Sequence, residues 1–249
     1  MRLGFVPDWP LPAGVRAAMS TRQGGGSTGI YAALNLGAHV GDAAASVTAN
    51  RRALAVDLGV ANIVWLNQVH GRDVVRLAAP LLQPPTADAS VTSEQDLACA
   101  VMVADCVPVL FAALDGSCVA AAHAGWRGLR DGVLDATLAA LVVPAAAVTA
   151  WIGPAIGPDH YEVGAEVRAE FPATERDWFS PSSPGHFLMN LKQLAATQLR
   201  RAGVTAVTVA PHCAYERSEL FYSHRRDGPT GRCAAIIWRT DAALTAHAG

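Results

Sequence analysis

Residues 98–128, ACAVMVADCVPVLFAALDGSCVAAAHAGWRG, constrain this chain more than any other stretch. Runs of four to eight apolar residues bounded by turn formers read as buried strands. Cys99–Ala104 and Val107–Leu114 are two such runs, with a hairpin-like turn at Asp115-Gly116 and a third strand-like piece at Val119–Ala122. The runs stop at Asp105-Cys106 and at His123. Two soft metal-ligand types therefore stand at the ends of buried strands. His70 closes a similar apolar segment, Ile63–Val69, upstream.

Zinc accepts Cys and His together, and a catalytic zinc has three protein ligands and one open position. His70, Cys106 and His123 satisfy that count. They lie thirty-six and seventeen positions apart, far from a finger-type Cys-x-x-Cys spacing. The same residues would equally suit a buried thiol and two hydrogen-bonded histidines. The flanks favour a site. Asp105 supplies a carboxylate, Asn67 and Gln68 supply polar partners for the ligands, and Gly71, Gly125 and Gly128 leave backbone room. His39, His160, His186, His212 and His247 have no such setting, whereas His224 beside Arg225 and Arg226 suits an anion.

The remaining chain reads as a mixture of strands and helices, which predicts an α+β domain of layered type. Residues 1–14 are proline-rich and predict an extended N-terminal arm on a single domain spanning 1–249. Val15–Ser20 predicts a strand, and Thr21–Gly29 a glycine-rich loop without a phosphate-loop lysine. Residues 43–58 predict a helix capped by Asp42, with Val47, Leu54 and Leu58 on one face. Arg51 falls on that same face. It requires an anion, a carbonyl or a ligand nearby, or an exit to solvent for its guanidinium.

Further strands are expected at Asp73–Leu77, Val148–Ile152, Ala206–Ala210 and Ala234–Trp238, and Asp88–Thr92 reads as a short strand or a loop. Residues 127–142 predict one helix with Val133, Leu134, Leu138 and Leu141 inward. Its start, just after His123, offers free amides to an anion. Val163, Val167 and Phe171 recur at helical spacing, Trp178–Gly185 reads as a loop, and Asn190–Gln193 opens a helix with a capping-box pattern. Phe221–Gly228 predicts a polar loop. Trp65, Trp126, Trp151 and Tyr161 suit core packing first and base stacking second.

Composition excludes several classes. Hydrophobic residues make up 51% and charged ones 16%, enough apolar surface for a large core. The net charge of −2 and the absence of a basic stripe argue against a nucleic-acid partner. The most apolar stretch, Leu138–Trp151, is short and holds Pro144, so no membrane span is expected. Five cysteines without paired spacing, and an N-terminus without a signal peptide's apolar middle, predict a cytoplasmic protein.

Several long stretches also resemble one family, the YfiH/PgeF-type proteins, also described as laccase-domain or polyphenol oxidase proteins. They are TRQGGGSTGIYAALNLGAHVGD, NQVHG, ADASVT, VADCVPVLF, AAHAGWRG, IGPAIGPDHYEVG and PHCAYERSELFYSHRRDGPTGR, running in family order from Thr21 to Arg232. The triplet Gly24-Gly25-Gly26 is slightly wider than the family's usual pair. The resemblance implies a layered α/β sandwich with mixed β-sheets, related to toxin-type cysteine hydrolases. It implies zinc on His70 of NQVHG, Cys106 of ADC and His123 of AHAGW, and places Arg51, after Asn50, near the active site.

The implied activity is purine nucleoside chemistry: phosphorolysis of adenosine, inosine, guanosine and methylthioadenosine, and deamination of adenosine. Small-molecule nucleoside and phosphate are then the partners. Arg51, Asn67, Arg225 and Arg226 are candidates for binding substrate or phosphate, and Asp105 or Cys106 for moving a proton. Three other readings use the same residues. One is peptidoglycan editing by a thiol hydrolase with Cys106 as nucleophile and His70 or His123 as base. Another is copper-dependent phenol oxidation, for which eight histidines without a His-x-His pair are poorly arranged, although a Cys-containing site accepts copper as an alternative metal. The last is a zinc-stabilised interaction module, which would require a fourth protein ligand.

Overall fold

A computed structural model describes residues 3–241. In chain order it contains β1 (Gly4–Phe5), β2 (Val15–Ser20), α1 (Ala44–Leu58), β3 (Asn62–Val64), β4 (Val74–Leu77), β5 (Ala89–Thr92), β6 (Leu97–Val103), β7 (Val107–Ala113) and β8 (Val119–Ala124). There follow α2 (Trp126–Asp131), α3 (Val133–Leu141), β9 (Val148–Ile152), β10 (Glu162–Gly164), α4 (Ala165–Ala169), β11 (Phe179–Pro181), β12 (His186–Met189), α5 (Leu191–Arg201), β13 (Ala206–Val209), α6 (His224–Asp227) and β14 (Cys233–Arg239).

Two mixed sheets stack face to face, one in the order β1-β2-β14-β6-β3 and the other β13-β9-β7-β8-β5-β4. Alternate residues of each central strand reach opposite faces. In β7, Leu110 and Ala112 pack between the sheets with Cys99, Val101 and Ile237, while Val109 and Phe111 pack outward against α3 and α5 through Leu134, Leu138, Leu194 and Leu199. On the far side, Ala98, Ala100, Met102 and Ile236 pack against Leu54 of α1. The order is therefore helix, sheet, sheet, helix. Strands covered on both faces need apolar residues throughout, which is why β6, β7 and β8 read as unbroken apolar runs. A third sheet, β10-β12-β11, is small and antiparallel.

β6 and β7 are consecutive but belong to different sheets, so Ala104-Asp105-Cys106 is the crossing between them. The backbone turns sharply there, with Asp105 at φ 94°. β7 and β8 form the expected hairpin, closed where Ser117 N–H donates to the Asp115 carboxylate (2.9 Å).

Several expectations are corrected. The strand expected over Ile63–Val69 ends at Val64; beyond it the Gln68 side chain pairs with the Met102 backbone, donating to its carbonyl (2.9 Å) and accepting from its N–H (2.7 Å). The helix expected over 127–142 is two helices, because Gly132 at φ 82° ends α2 and starts α3. Val163, Val167 and Phe171 are all buried but not on one helix: Val163 belongs to β10, paired with β12, and Val167 to α4. Within Trp178–Gly185, Phe179–Pro181 forms β11. Within Phe221–Gly228, α6 forms because Ser223 Oγ accepts from Arg226 N–H (3.2 Å).

Asp42 does not cap α1. Its carboxylate instead accepts from Ser27 Oγ (2.6 Å) and Asn35 Nδ2 (2.9 Å). Asn190 does cap α5, accepting from Gln193 N–H, but its own N–H donates to Trp178, so the reciprocal half of the capping box is absent. The glycine-rich loop wraps Asn50 of α1, whose Oδ1 accepts from Gly26 N–H (2.8 Å). A Cβ on Gly25 would strike the Ala33 carbonyl at 2.4 Å, so the loop's glycines serve this close approach. Residues 1–2 of the N-terminal arm and His247 lie outside the described residues.

Candidate metal centre and its cavity

His70, Cys106 and His123 converge: their ligand atoms lie within 4.8 Å of one another. Each arrives from a different piece of chain. His123 is on β8 opposite Pro108 of β7, Cys106 ends the crossing between the sheets, and His70 sits in the loop after β3 at φ 60°. The two imidazoles stand nearly perpendicular, with centroids 4.8 Å apart.

One residue organises all of this, and the sequence reading assigned it no role. Asp88, fully buried, accepts from the backbone N–H of Val69 (3.2 Å), His70 (2.9 Å) and Gly71 (2.7 Å), and pairs with His123 Nδ1 (2.8 Å). Its backbone carbonyl also accepts from His123 N–H (2.7 Å). The carboxylate thus holds His70 in its left-handed conformation and orients the His123 ring. With Nδ1 engaged, Nε2 of His123 is the nitrogen left for a metal. Burial opposes the charge of Asp88, but the hydrogen bonds from His123, Gly71 and Val69 hold its carboxyl below the usual range. The motif ADASVT, with its lone acid before an apolar strand, was the available signal.

The donor set fits a metal. Burial raises the Cys106 thiol, yet the charge of His123 and hydrogen bonds from both histidines outweigh it and bring the group down to about 6. A thiolate is the form that binds metal. Gly125 packs directly against the ligands: a Cβ there would lie 3.0 Å from Cys106 Sγ and 3.1 Å from His70 Cδ2. Among the described residues no fourth His, Cys or carboxylate joins this group. One other cluster of metal-ligating side chains, His160, Cys213 and Glu216, lies elsewhere.

The three residues line a cavity of about 360 Å³. Its walls add Asp105, Trp126, Arg127, Tyr161, His224, Arg225, Arg232 and His39. Asp105 Oδ2 accepts from Arg225 N–H (2.7 Å), while Oδ1 is buried without a hydrogen-bond partner. Burial raises the Asp105 carboxyl. Arg225 stacks on Tyr161 (4.9 Å) and donates to the Glu162 carbonyl (2.9 Å). Arg127 stacks on Trp126 (4.3 Å). Burial, together with the charges of Arg232 and Arg51, lowers His39.

The other expected site residues are placed differently. Arg51 donates to the Leu36 carbonyl (2.9 Å) and stacks on Trp65 (4.3 Å), so a carbonyl answers the need of this charge on an inward face. Burial lowers it to about 10. It lines a smaller groove of about 260 Å³ with Asn67; His39 and Met102 line both this groove and the main cavity. Asn67 Nδ2 donates to Thr86 Oγ1 (3.1 Å). Arg226 is not brought to the cavity: its guanidinium donates to the carbonyls of Ala214, Tyr215 and Phe221 and to Asp227. Trp126 and Tyr161 reach the cavity, whereas Trp151 is buried between the sheets. His39, Arg127 and Arg232 had no distinguishing sequence setting, since only the fold gathers them.

A glycine-lined Cys/His₂ group in a stacked-sheet α+β sandwich defines the class: a layered α+β protein with a candidate metal centre. Residues 16–240 match the family model described as multi-copper polyphenol oxidoreductase laccase. A purine nucleoside phosphorylase of Pseudomonas aeruginosa is 46% identical over 245 residues, covering 97% of this chain and all of that one. The purine nucleoside phosphorylase YfiH of Escherichia coli is 46% identical over 238 residues, covering 94% and 98%. The crystal structure of a Neisseria meningitidis protein superposes with a TM-score of 0.93 at 45% identity, covering 96% and 100%. The YfiH protein of Bacillus licheniformis superposes with a TM-score of 0.85 at 30% identity, covering 91% and 93%. The chain belongs to the YfiH/PgeF family.

Proposed function

We propose that the chain is a zinc-dependent purine nucleoside enzyme whose main reaction is phosphorolysis. The observation that carries this reading is the placement of the Cys/His₂ group in the wall of a cavity with both cationic and aromatic sides. The relatives named purine nucleoside phosphorylase support enzyme status and small-molecule substrates. The substrates implied are adenosine, inosine, guanosine and methylthioadenosine, with adenosine deamination as a second activity at the same cavity.

Phosphorolysis joins a phosphate oxygen to the sugar C1′ as the C–N bond breaks and its electrons leave with the purine. Arg127, Arg225 and Arg232 supply charge and donors for the phosphate. The rings of Trp126 and Tyr161 offer faces for the base. Asp105, whose Oδ1 has no partner, is placed to hold or pass the proton that the departing purine needs. Arg51 and Asn67 act from the adjoining groove, Arg51 by fixing the Leu36 segment beside His39. Zinc held by His70, Cys106 and His123 would supply Lewis acidity and an open coordination position.

The thiol-hydrolase reading draws on one specific observation, the lowered Cys106 beside His123. Zinc on that sulfur would blunt it as a free nucleophile. Copper chemistry of the multi-centre kind needs more imidazoles than the two gathered here. The deciding experiment incubates zinc-loaded protein with each nucleoside and phosphate and identifies products by mass. Free base and sugar phosphate, lost in His70→Ala, support the proposal. Inosine alone from adenosine would reassign the main reaction to deamination. No turnover of any of the four would refute it and leave the peptidoglycan-editing reading in front.

A further inference from the structure

A second group of ligating side chains lies outside the lining of the cavity. His160, Cys213 and Glu216 present a nitrogen, a sulfur and a carboxylate oxygen within 4.8 Å of one another. We propose that His160, Cys213 and Glu216 form a second zinc site, separate from the cavity.

Four observations carry this. First, the donors suit zinc, which takes imidazole, thiolate and carboxylate in one tetrahedral shell. His160 Nε2 and Glu216 Oε1 are 3.1 Å apart, close to the ~3.3 Å edge of a tetrahedron with bonds of about 2.0 Å. Second, the sulfur sits in a shaped seat. Gly157 N–H donates to Cys213 Sγ (3.1 Å), as backbone amides do to ligating sulfur, and a Cβ on Gly157 would lie 3.1 Å from that sulfur.

Third, the ligands are held by structure that does not depend on the metal. Ala155 and Cys213 are bridged as parallel strand neighbours, and Lys192 Nζ donates to the carbonyls of Ala210 and His212 just before Cys213. The His160 ring stacks on Tyr215 at 4.2 Å and 11°. Arg217 N–H donates to the Cys213 carbonyl (3.1 Å), closing a turn that holds Glu216 near Cys213. Fourth, an ion pair alone explains His160 and Glu216 but not a buried sulfur within 4.8 Å of both. Glu216 is half exposed, so a cation can enter from solvent and keep a water as its fourth ligand. Binding releases the thiol proton to solvent.

Zinc titration against a chromophoric chelator tests this on the full chain. Wild type should bind two equivalents, and His70→Ala and His160→Ala one each. Because Cys213 is buried, Glu216→Gln serves as the variant least able to disturb folding, and it too should lose one equivalent or weaken it at least tenfold. Cobalt-loaded His70→Ala should show a sulfur-to-metal charge-transfer band that the double variant His70→Ala/Cys213→Ser lacks. Zinc binding in His160→Ala undiminished from wild type, whether one equivalent or two, would overturn the second site. Either result leaves the first centre to be judged by His70→Ala alone.

Discussion

Asp88→Asn tests the architecture of the proposed metal centre at its most economical point. The carboxylate makes four hydrogen bonds in two pairs: Oδ1 takes His70 N–H and His123, and Oδ2 takes Val69 N–H and Gly71 N–H. An asparagine keeps one oxygen and turns the other position into a donor, so one pair becomes donor facing donor. Bonds to charged groups contribute about 1.5–3 kcal/mol each, so losing two costs about 3–6 kcal/mol. Removing one side of a buried ion pair costs about 3–5 kcal/mol by an independent route. The two ranges overlap at about 3–5 kcal/mol, a large share of a stability of about 5–15 kcal/mol. Urea denaturation of metal-free protein reads this directly. Zinc affinity should fall about 10–100-fold, as when a ligand's hydrogen-bond partner is lost, and saturating zinc should restore part of the stability. A midpoint and a zinc affinity both unchanged from wild type would refute the role given to Asp88.

Gly125→Ala should leave the fold intact, since the φ of −71° admits alanine, yet it pushes a methyl to 3.0 Å from Cys106 Sγ; zinc affinity should fall about tenfold in a competition titration, the lower end of an overpacking cost of about 1–3 kcal/mol. In metal-depleted protein at pH 8, iodoacetamide should label Cys106 first, because burial raises Cys99 to about 12 and Cys233 to about 11 and so keeps them protonated; zinc should protect Cys106, and peptide mapping checks both. Arg127→Ala should raise the KM for phosphate roughly 10–100-fold, the value of one charge-assisted bond, whereas Arg226→Ala should lower the Tm and leave that KM unchanged, because its guanidinium serves backbone carbonyls.

Cys106 and His123 were legible as a candidate pair because each stands beside a buried strand, Cys106 before β7 and His123 near the end of β8, whereas only the fold shows the His70 loop folding back against them. The layered fold was legible for a related reason: strands such as β7 are apolar on both faces only when covered on both. Other features depend on groups that meet only in three dimensions. Asp88 looks like any acid before a strand until three backbone amides of the His70 loop are seen to converge on it. Gln68 replaces backbone pairing with a side-chain amide, which no period can reveal. The helical spacing of Val163, Val167 and Phe171 reports shared burial, because a strand and a short helix cover the same core. Arg225 and Arg226 are adjacent and alike in sequence, and the local turn of α6 sends one to the cavity and the other to the loop carbonyls.

Anomalous diffraction at the zinc edge, from crystals grown with zinc, tests the central claim most directly. The account predicts a peak within bonding distance of His70, Cys106 Sγ and His123 Nε2, with a non-protein atom as the fourth ligand. No peak between these three residues, or a fourth side chain closing the shell, would contradict a catalytic centre there.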